Sequence, residues 1–127
     1  MTPSEVVWFC NHKYGETAYV IEDENWVYLY TLKSKWMIKK NDFKRFGRYT
    51  LFHSNHIEGQ GYHVQKQGHD LDYLVYEAVS HDALEKPERL NFLDFKKAWE
   101  MYQYGQQLFE QVQTFNFLCG NNLNEDG

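Results

Sequence analysis

The sequence contains no long apolar run and no export signal. Its apolar stretches fall short of the roughly 18 residues that a membrane-spanning helix needs. The N-terminal segment MTPSEVVWFCN has no basic stretch ahead of its short apolar run, and it has no small-residue cleavage site. A secretory signal requires both features. We therefore expect a soluble, cytoplasmic protein.

Cysteines and catalytic motifs are also scarce. The two cysteines, Cys10 and Cys119, lie far apart in the sequence, and in a reducing cytoplasm both are expected to be free thiols. Both have apolar sequence neighbours, and apolar surroundings raise the pKa of a thiol and lower its reactivity. The chain also lacks a G-x-S-x-G elbow, a Walker-type phosphate loop and a dinucleotide fingerprint. These absences argue against an enzyme, and no cofactor is predicted.

Length and composition indicate a folded protein. A chain of 127 residues, 43% of them apolar, has the size and composition of one globular domain. We expect a single domain over residues 1–127, with residues 120–127 as a frayed acidic tail. The aromatic share of 18% is high, and aromatic residues build both cores and binding surfaces.

Local patterns in the first two thirds of the chain predict one helix and a sheet. Thr2, Pro3 and Glu5 form a helix-start pattern, which predicts a helix over residues 3–12 with a stop near Gly15. The apolar run 6–10 is equally typical of a buried strand. The segment 41–47 is predicted to be a helical turn in which Phe43 and Phe46 point inward. Strands rich in Val, Ile and Tyr are predicted over residues 17–22, 26–32, 36–40, 48–54, 62–67 and 73–80. The last of these is expected to be a central strand, because apolar residues occupy both of its faces.

The periodicity changes after a polar connection over residues 82–90. From Asn91 onward, apolar residues recur every three or four positions, which predicts a long amphipathic helix capped by Asn91 and stopped at Gly120. The predicted fold class is α+β. It comprises an antiparallel sheet of about five or six strands, with a short N-terminal helix and a long C-terminal amphipathic helix packed on it.

Histidines cluster in the middle of the chain. His53, His56 and His63 resemble a metal-ligand set, but no cysteine pair or carboxylate accompanies them at a known spacing, so no metal site is predicted. The adjacent pairs His69-Asp70 and His81-Asp82 suggest a base with its orienting acid. Neighbouring residues of an extended chain point to opposite faces, however, which disfavours that contact.

The positive charge of the chain is concentrated in residues 33–48. This segment carries seven basic side chains against one acidic one, a net charge of +6, which leaves −11 on the rest of a chain whose total is −5. Local potential of this kind steers charged partners. The alternative is an ordinary solvated surface. The predicted partner-binding residues are Lys33, Lys35, Trp36, Lys39, Lys40, Lys44, Arg45 and Arg48. Lysine and arginine neutralise phosphates, and Trp36, Phe43 or Phe46 can supply stacking faces.

A longer motif gives a functional expectation. It comprises residues 46–56 (FGRYTLFHSNH), a five-residue gap, Tyr62-His63, and then the segment 90–94 (LNFLD) at the start of the long helix. This arrangement resembles a module of phage-encoded type II-A anti-CRISPR proteins, which inhibit the CRISPR nuclease. The resembled inhibitor has a long basic N-terminal extension, whereas the positive charge of this chain is internal. The resemblance therefore implies the fold more directly than the mechanism.

The leading hypothesis is a non-catalytic phage or mobile-element protein that inhibits a host nucleic-acid-directed defence nuclease. Its partner would be a CRISPR nuclease or its guide-RNA complex in the cytoplasm of a bacterial host. The basic segment would contact RNA, or the acidic helix and tail would contact a cationic groove. Two alternatives are an immunity or accessory protein-interaction module and, with less support, a small metal-dependent enzyme.

Overall fold

The fold is seen in a computed structural model, which describes residues 1–42, 48–55, 61–81, 83–84 and 88–119. The chain forms two compact units, Met1–Phe92 and Leu93–Gly127. The elements are α1 (Pro3–Tyr14), β1 (Tyr19–Glu22), β2 (Trp26–Tyr30), β3 (Ser34–Lys39), β4 (Tyr49–Asn55), β5 (His63–Gly68), α2 (Leu71–Ser80) and α3 (Arg89–Leu118). This is the predicted α+β arrangement of a short N-terminal helix, a five-stranded antiparallel sheet and a long C-terminal helix.

Both ends of α1 follow the sequence pattern. The backbone N–H of Glu5 donates to the Thr2 side chain at 3.2 Å, and the backbone N–H of Thr2 donates to the Glu5 carboxylate at 2.9 Å. This reciprocal capping box satisfies two N–H groups that the first helical turn leaves without partners. Gly15 ends the helix in the left-handed conformation, at φ 69°, which glycine adopts without steric cost.

The strands form a meander in the order β1-β2-β3-β4-β5, in which each strand pairs antiparallel with the next. Side chains alternate between the two faces of a strand. The buried side chains on one face, here called the inner face, include Val27, Leu29, Trp36, Ile38 and Leu51. The opposite face is called the outer face.

Residues 73–80 form a helix, so the predicted central strand is wrong. Every residue of α2 from Tyr73 to Ser80 is buried. The helix contacts α1 and also β2, β3 and β5. A helix that is enclosed all round carries apolar residues on every face. Over eight residues such a pattern cannot be distinguished from that of a buried strand.

Polar contacts anchor α2 at two points. The hydroxyls of Tyr76 and Tyr14 lie 2.9 Å apart, which links α2 to α1, and burial raises the pKa of Tyr76. On the other side, Lys66 of β5 donates to the Tyr73 hydroxyl at 3.3 Å and to the Glu77 carboxylate at 3.4 Å. The inner face is therefore covered by a helix held through both packing and hydrogen bonds.

The long helix α3 begins two residues earlier than predicted. Asn91 does not cap it; instead, the Asn91 side chain accepts from the backbone N–H of Glu88 at 3.0 Å. The helix continues through Gly105 to Leu118, whereas the predicted stop at Gly120 and the tail lie outside the described residues. In the described part of the chain, no helix has both the length and the apolar character needed to cross a bilayer.

Replacing Thr2 tests the capping box. Thr2→Ala removes the side-chain oxygen that accepts from Glu5, so we expect a loss of about 1 kcal/mol in the free energy of unfolding. Urea denaturation followed by circular dichroism measures it. Ser4→Ala, at an exposed position in the same turn, is the matched control. Equal losses in the two variants would contradict the capping role.

Candidate nucleic-acid interface on the sheet

Strand alternation divides the basic segment between several environments. Lys35 and Lys39 occupy outer-face positions of β3, where Lys35 is exposed and Lys39 is half-exposed. Lys33 is exposed in the turn before β3. Lys40 follows the strand, and it is bound by the protein itself: its amine lies 3.2 Å from the Glu22 carboxylate and donates to the carbonyl of Asp23 at 2.9 Å.

The remaining cations do not complete a single basic face. Arg48 is exposed, and its guanidinium lies 5.7 Å from the centre of the Tyr49 ring. Lys44 and Arg45 lie outside the described residues, as do Phe43 and Phe46 of the predicted helical turn. The sequence places these charges close together, but the described ones point in different directions.

Trp36 does not offer the stacking face that the sequence suggested. Its side chain is 1% exposed, and its ring lies 4.0 Å from the ring of His53 on the inner face. The reason is the two-residue period of β3, since Lys35 and Met37 on either side point outward. Trp36 is therefore a core residue, and its place among the partner-binding residues is corrected.

A different set of aromatic rings lies beside the outward lysines. In β2 the half-exposed rings of Trp26, Tyr28 and Tyr30 all point to the outer face. The sheet register places Trp26 opposite Lys39 and Tyr30 opposite Lys35. Rings and amines thus alternate across two neighbouring central strands.

Further rings extend this surface on both sides. Tyr19 of β1 is 59% exposed and stacks on Tyr30 with ring centres 5.3 Å apart. Phe52 of β4 lies 6.2 Å from Trp26. Tyr62, just before β5, is 43% exposed, and its pKa is raised by burial and by the nearby hydroxyls of Tyr30 and Tyr28. The outer aromatic face is defined here as Tyr19, Trp26, Tyr28, Tyr30, Lys35, Lys39, Phe52 and Tyr62.

Carboxylates are absent from the outward positions of the described strands. The nearest described acid, Asp42, is buried and accepts from the Thr50 hydroxyl at 2.9 Å, while its other oxygen lies 3.8 Å from the Lys39 amine. Lys39 is partly neutralised by this contact, whereas Lys35 is exposed to solvent. The local charge of the face is positive although the chain as a whole is negative.

This combination suits single-stranded nucleic acid. Partly exposed rings on a sheet provide flat surfaces on which bases stack, and neighbouring lysines neutralise the phosphates between them. The inner face, by contrast, is already covered by α2.

Histidines and Trp36 form a second cluster on the inner side. The imidazole Nε2 of buried His53 lies 2.9 Å from the Ser34 hydroxyl, and the rings of His63 and His81 lie 5.1 and 5.8 Å from that of His53. His56 of the considered metal set lies outside the described residues. Within the described residues, no group of three or more His, Cys, Asp or Glu side chains is placed to hold a metal ion.

The considered catalytic groups lie in different environments. Asp70 pairs with Arg89 at 3.0 Å, and Asp82 lies outside the described residues. Cys10 is buried, which raises the pKa of its thiol. Cys119 is exposed, so its expected apolar surroundings are wrong: it follows the last turn of α3, where neighbouring apolar side chains also face solvent.

Comparisons with known proteins identify no relative. No family model matches this chain, and no curated protein or solved structure gives a significant match.

The outer aromatic face was not found from the sequence, although a signal for it was present. Trp26, Tyr28 and Tyr30 alternate with Val27 and Leu29, and this period of two indicates one aromatic face and one aliphatic face. The rings lie on the strand that precedes the basic segment, outside the residues that were predicted to bind a partner.

Substitutions at two adjacent positions of β3 test which side of the sheet each side chain faces. Trp36→Ala empties a buried site and is expected to cost about 3–5 kcal/mol in the free energy of unfolding. Lys35→Ala on the opposite face should change it by no more than about 0.5 kcal/mol. Urea denaturation measures both variants. A large loss at Lys35, or a small one at Trp36, would show that the strand faces the other way.

Proposed function

We propose that this chain is a non-catalytic binding protein of a phage or mobile element, and that it inhibits a nucleic-acid-directed defence nuclease of the CRISPR type. In this proposal the outer aromatic face binds single-stranded RNA, such as an accessible part of the guide. The observation that carries it is a sheet face on which Tyr28 and Tyr30 lie beside the outward-facing Lys35, with no carboxylate at the outward positions of the described strands.

Stacking supplies the first part of the proposed binding energy. Base stacking on a protein aromatic ring contributes about 1–3 kcal/mol per base, and it tolerates any sequence because every base has a flat face. Adjacent outward positions on a strand, such as Tyr28 and Tyr30, lie about 7 Å apart. An extended single strand spans that distance between successive bases, so the two rings can serve neighbouring nucleotides.

Electrostatics supplies the second part. A total charge of −5 repels nucleic acid at long range, so binding depends on the local field of Lys35 and Lys39. Contacts between lysine and phosphate release counterions, and the affinity then falls as salt rises. With only two or three cations on the face, we expect modest affinity for isolated RNA and a shallow dependence on salt.

The nuclease as target rests on the resemblance to anti-CRISPR proteins. The described part of the shared motif includes β4, the start of β5 and the first turn of α3, and its His53 and Ser54 are buried. Their burial supports a structural role for these two side chains. A non-catalytic role also agrees with the buried thiol of Cys10, whose raised pKa disfavours a nucleophilic thiolate.

Binding of a fluorescently labelled 12-nucleotide RNA of mixed sequence tests the face. Tyr28→Leu/Tyr30→Leu keeps apolar bulk but removes two rings, and it should weaken binding at least tenfold. Lys35→Gln/Lys39→Gln removes two phosphate contacts, and it should flatten the slope of log affinity against log salt by about 1.4. Fluorescence anisotropy measures both effects. The titrations are made at salt concentrations from about 50 to 200 mM, a range over which the screening of charges changes.

Matched controls alter equivalent residues elsewhere. Trp8→Leu removes an exposed ring from α1, and Lys13→Gln/Lys97→Gln removes two exposed charges from helices. Neither control should change RNA binding. Absence of RNA binding by the wild-type chain, or equal losses in test and control variants, would overturn the assignment of this face.

Target DNA cleavage by a purified type II CRISPR nuclease loaded with guide RNA tests the proposed role. Wild-type protein should inhibit cleavage, and the Tyr28→Leu/Tyr30→Leu variant should inhibit at least tenfold more weakly because two stacking contacts are lost. Trp8→Leu should inhibit like the wild type. Full cleavage in the presence of wild-type protein that still binds RNA would contradict the nuclease role and leave an RNA-binding protein.

A further inference from the structure

The second half of α3 exposes an unusual amount of apolar surface. Met101, Tyr104, Leu108, Phe115 and Leu118 are between 43% and 76% exposed. An amphipathic helix normally buries such residues, because apolar surface left in water is unfavourable. Of the predicted stripe, the C-terminal members Leu108, Val112 and Phe115 face solvent. Met101, Tyr104 and Leu118 were not part of that prediction.

These side chains follow a heptad repeat. Met101, Leu108 and Phe115 are seven residues apart and occupy the a positions, while Tyr104, Gln111 and Leu118 occupy the d positions. Alternating steps of three and four residues place all six on one side of a helix. This spacing is typical of a seam between two helices.

The charge of this segment disfavours nucleic acid and anionic membranes as partners of the exposed apolar side chains. Residues 98–119 contain two glutamates and no lysine or arginine, so the segment does not attract nucleic acid or an anionic membrane surface. Among the positions that flank the seam, Glu100 carries the one charge, and Gly105, Gln107, Val112 and Thr114 are uncharged. Two identical copies therefore meet little like-charge repulsion.

The seam side chains are large and mostly solvent-exposed. Met101, Tyr104, Phe115 and Leu118 are each more than 60% exposed, and Leu108 and Val112 are 43% and 55% exposed. Pairing with a second helix would withdraw this apolar surface from water on both chains, which stabilises association.

We propose that α3 pairs in parallel with α3 of a second copy of this chain through the seam Met101–Leu118. Parallel pairing sets each Gln111 amide against the same amide of the other copy, where the two can hydrogen-bond. Antiparallel pairing centred on the seam would place Gln111 against Leu108 and leave the amide without a hydrogen-bond partner, which is unfavourable. A buried polar residue in a seam fixes register in this way.

Sedimentation velocity of the full chain tests the pairing. The wild type should be dimeric at 100 µM, a concentration of roughly the order at which weak interfaces associate. Leu108→Glu/Phe115→Glu places charges in the seam and should shift the protein to monomer. Gln106→Glu/Gln113→Glu adds the same charges at positions outside the seam and should leave the dimer intact.

Cross-linking through the exposed thiol of Cys119 distinguishes parallel from antiparallel pairing of the two helices. In a parallel pair both copies of Cys119 lie at one end of the seam, so a short bis-maleimide should cross-link them, and the seam variant should not cross-link. In an antiparallel pair centred on the seam they would lie about 27 Å apart, beyond the linker. A monomeric wild type, a dimer that survives the seam substitutions, or a dimer that does not cross-link would overturn the proposal. Circular dichroism of both double variants confirms that each remains folded.

Discussion

The enclosure of α2 is the constraint on which the unit Met1–Phe92 depends. A helix that buries every residue from Tyr73 to Ser80 needs apolar partners on all sides, and α1 and the inner face of the sheet provide them. This arrangement commits Val27, Leu29 and Trp36 to the core. Polar atoms carried inward must find partners there, as the Tyr14–Tyr76 and Lys66–Glu77 contacts show. The outer face is left with rings and amines that the core does not use.

The alternation of side chains along β3 determines where the basic side chains of residues 33–48 lie. Along the chain the lysines are close neighbours, but a two-residue period sends Lys35 and Lys39 outward and leaves Lys40 to pair with Glu22. Part of the charge therefore belongs to the fold, while Lys35 remains directed at solvent beside the tyrosines of β2. A surface that combines rings with an exposed amine differs physically from one that is only basic, because flat rings offer stacking contacts as well as charge.

Local signals predicted most of the elements correctly. The capping box of α1, its Gly15 stop and the five strands each depend on residues close in sequence, which is why their patterns could be recognised. The error at α2 arose because full burial erases the one-sided pattern that identifies a helix. Of the predicted partner-binding residues, Lys35 and Lys39 lie on the proposed outer aromatic face, whereas Trp36 is buried on the opposite face. Tyr28 and Tyr30 of that face were not among the predicted residues.

The sequence by itself determined the α+β fold class, the approximate positions of the five strands, both ends of α1 and a long C-terminal helix that carries apolar side chains. These features follow from hydrogen bonding and periodicity over a few residues. Only the tertiary structure decided that residues 73–80 are helical, that Trp36 is buried while Lys35 is exposed, and that the stripe from Met101 to Leu118 faces solvent. Burial depends on what distant segments cover, and periodicity along a single segment carries no information about its neighbours in space.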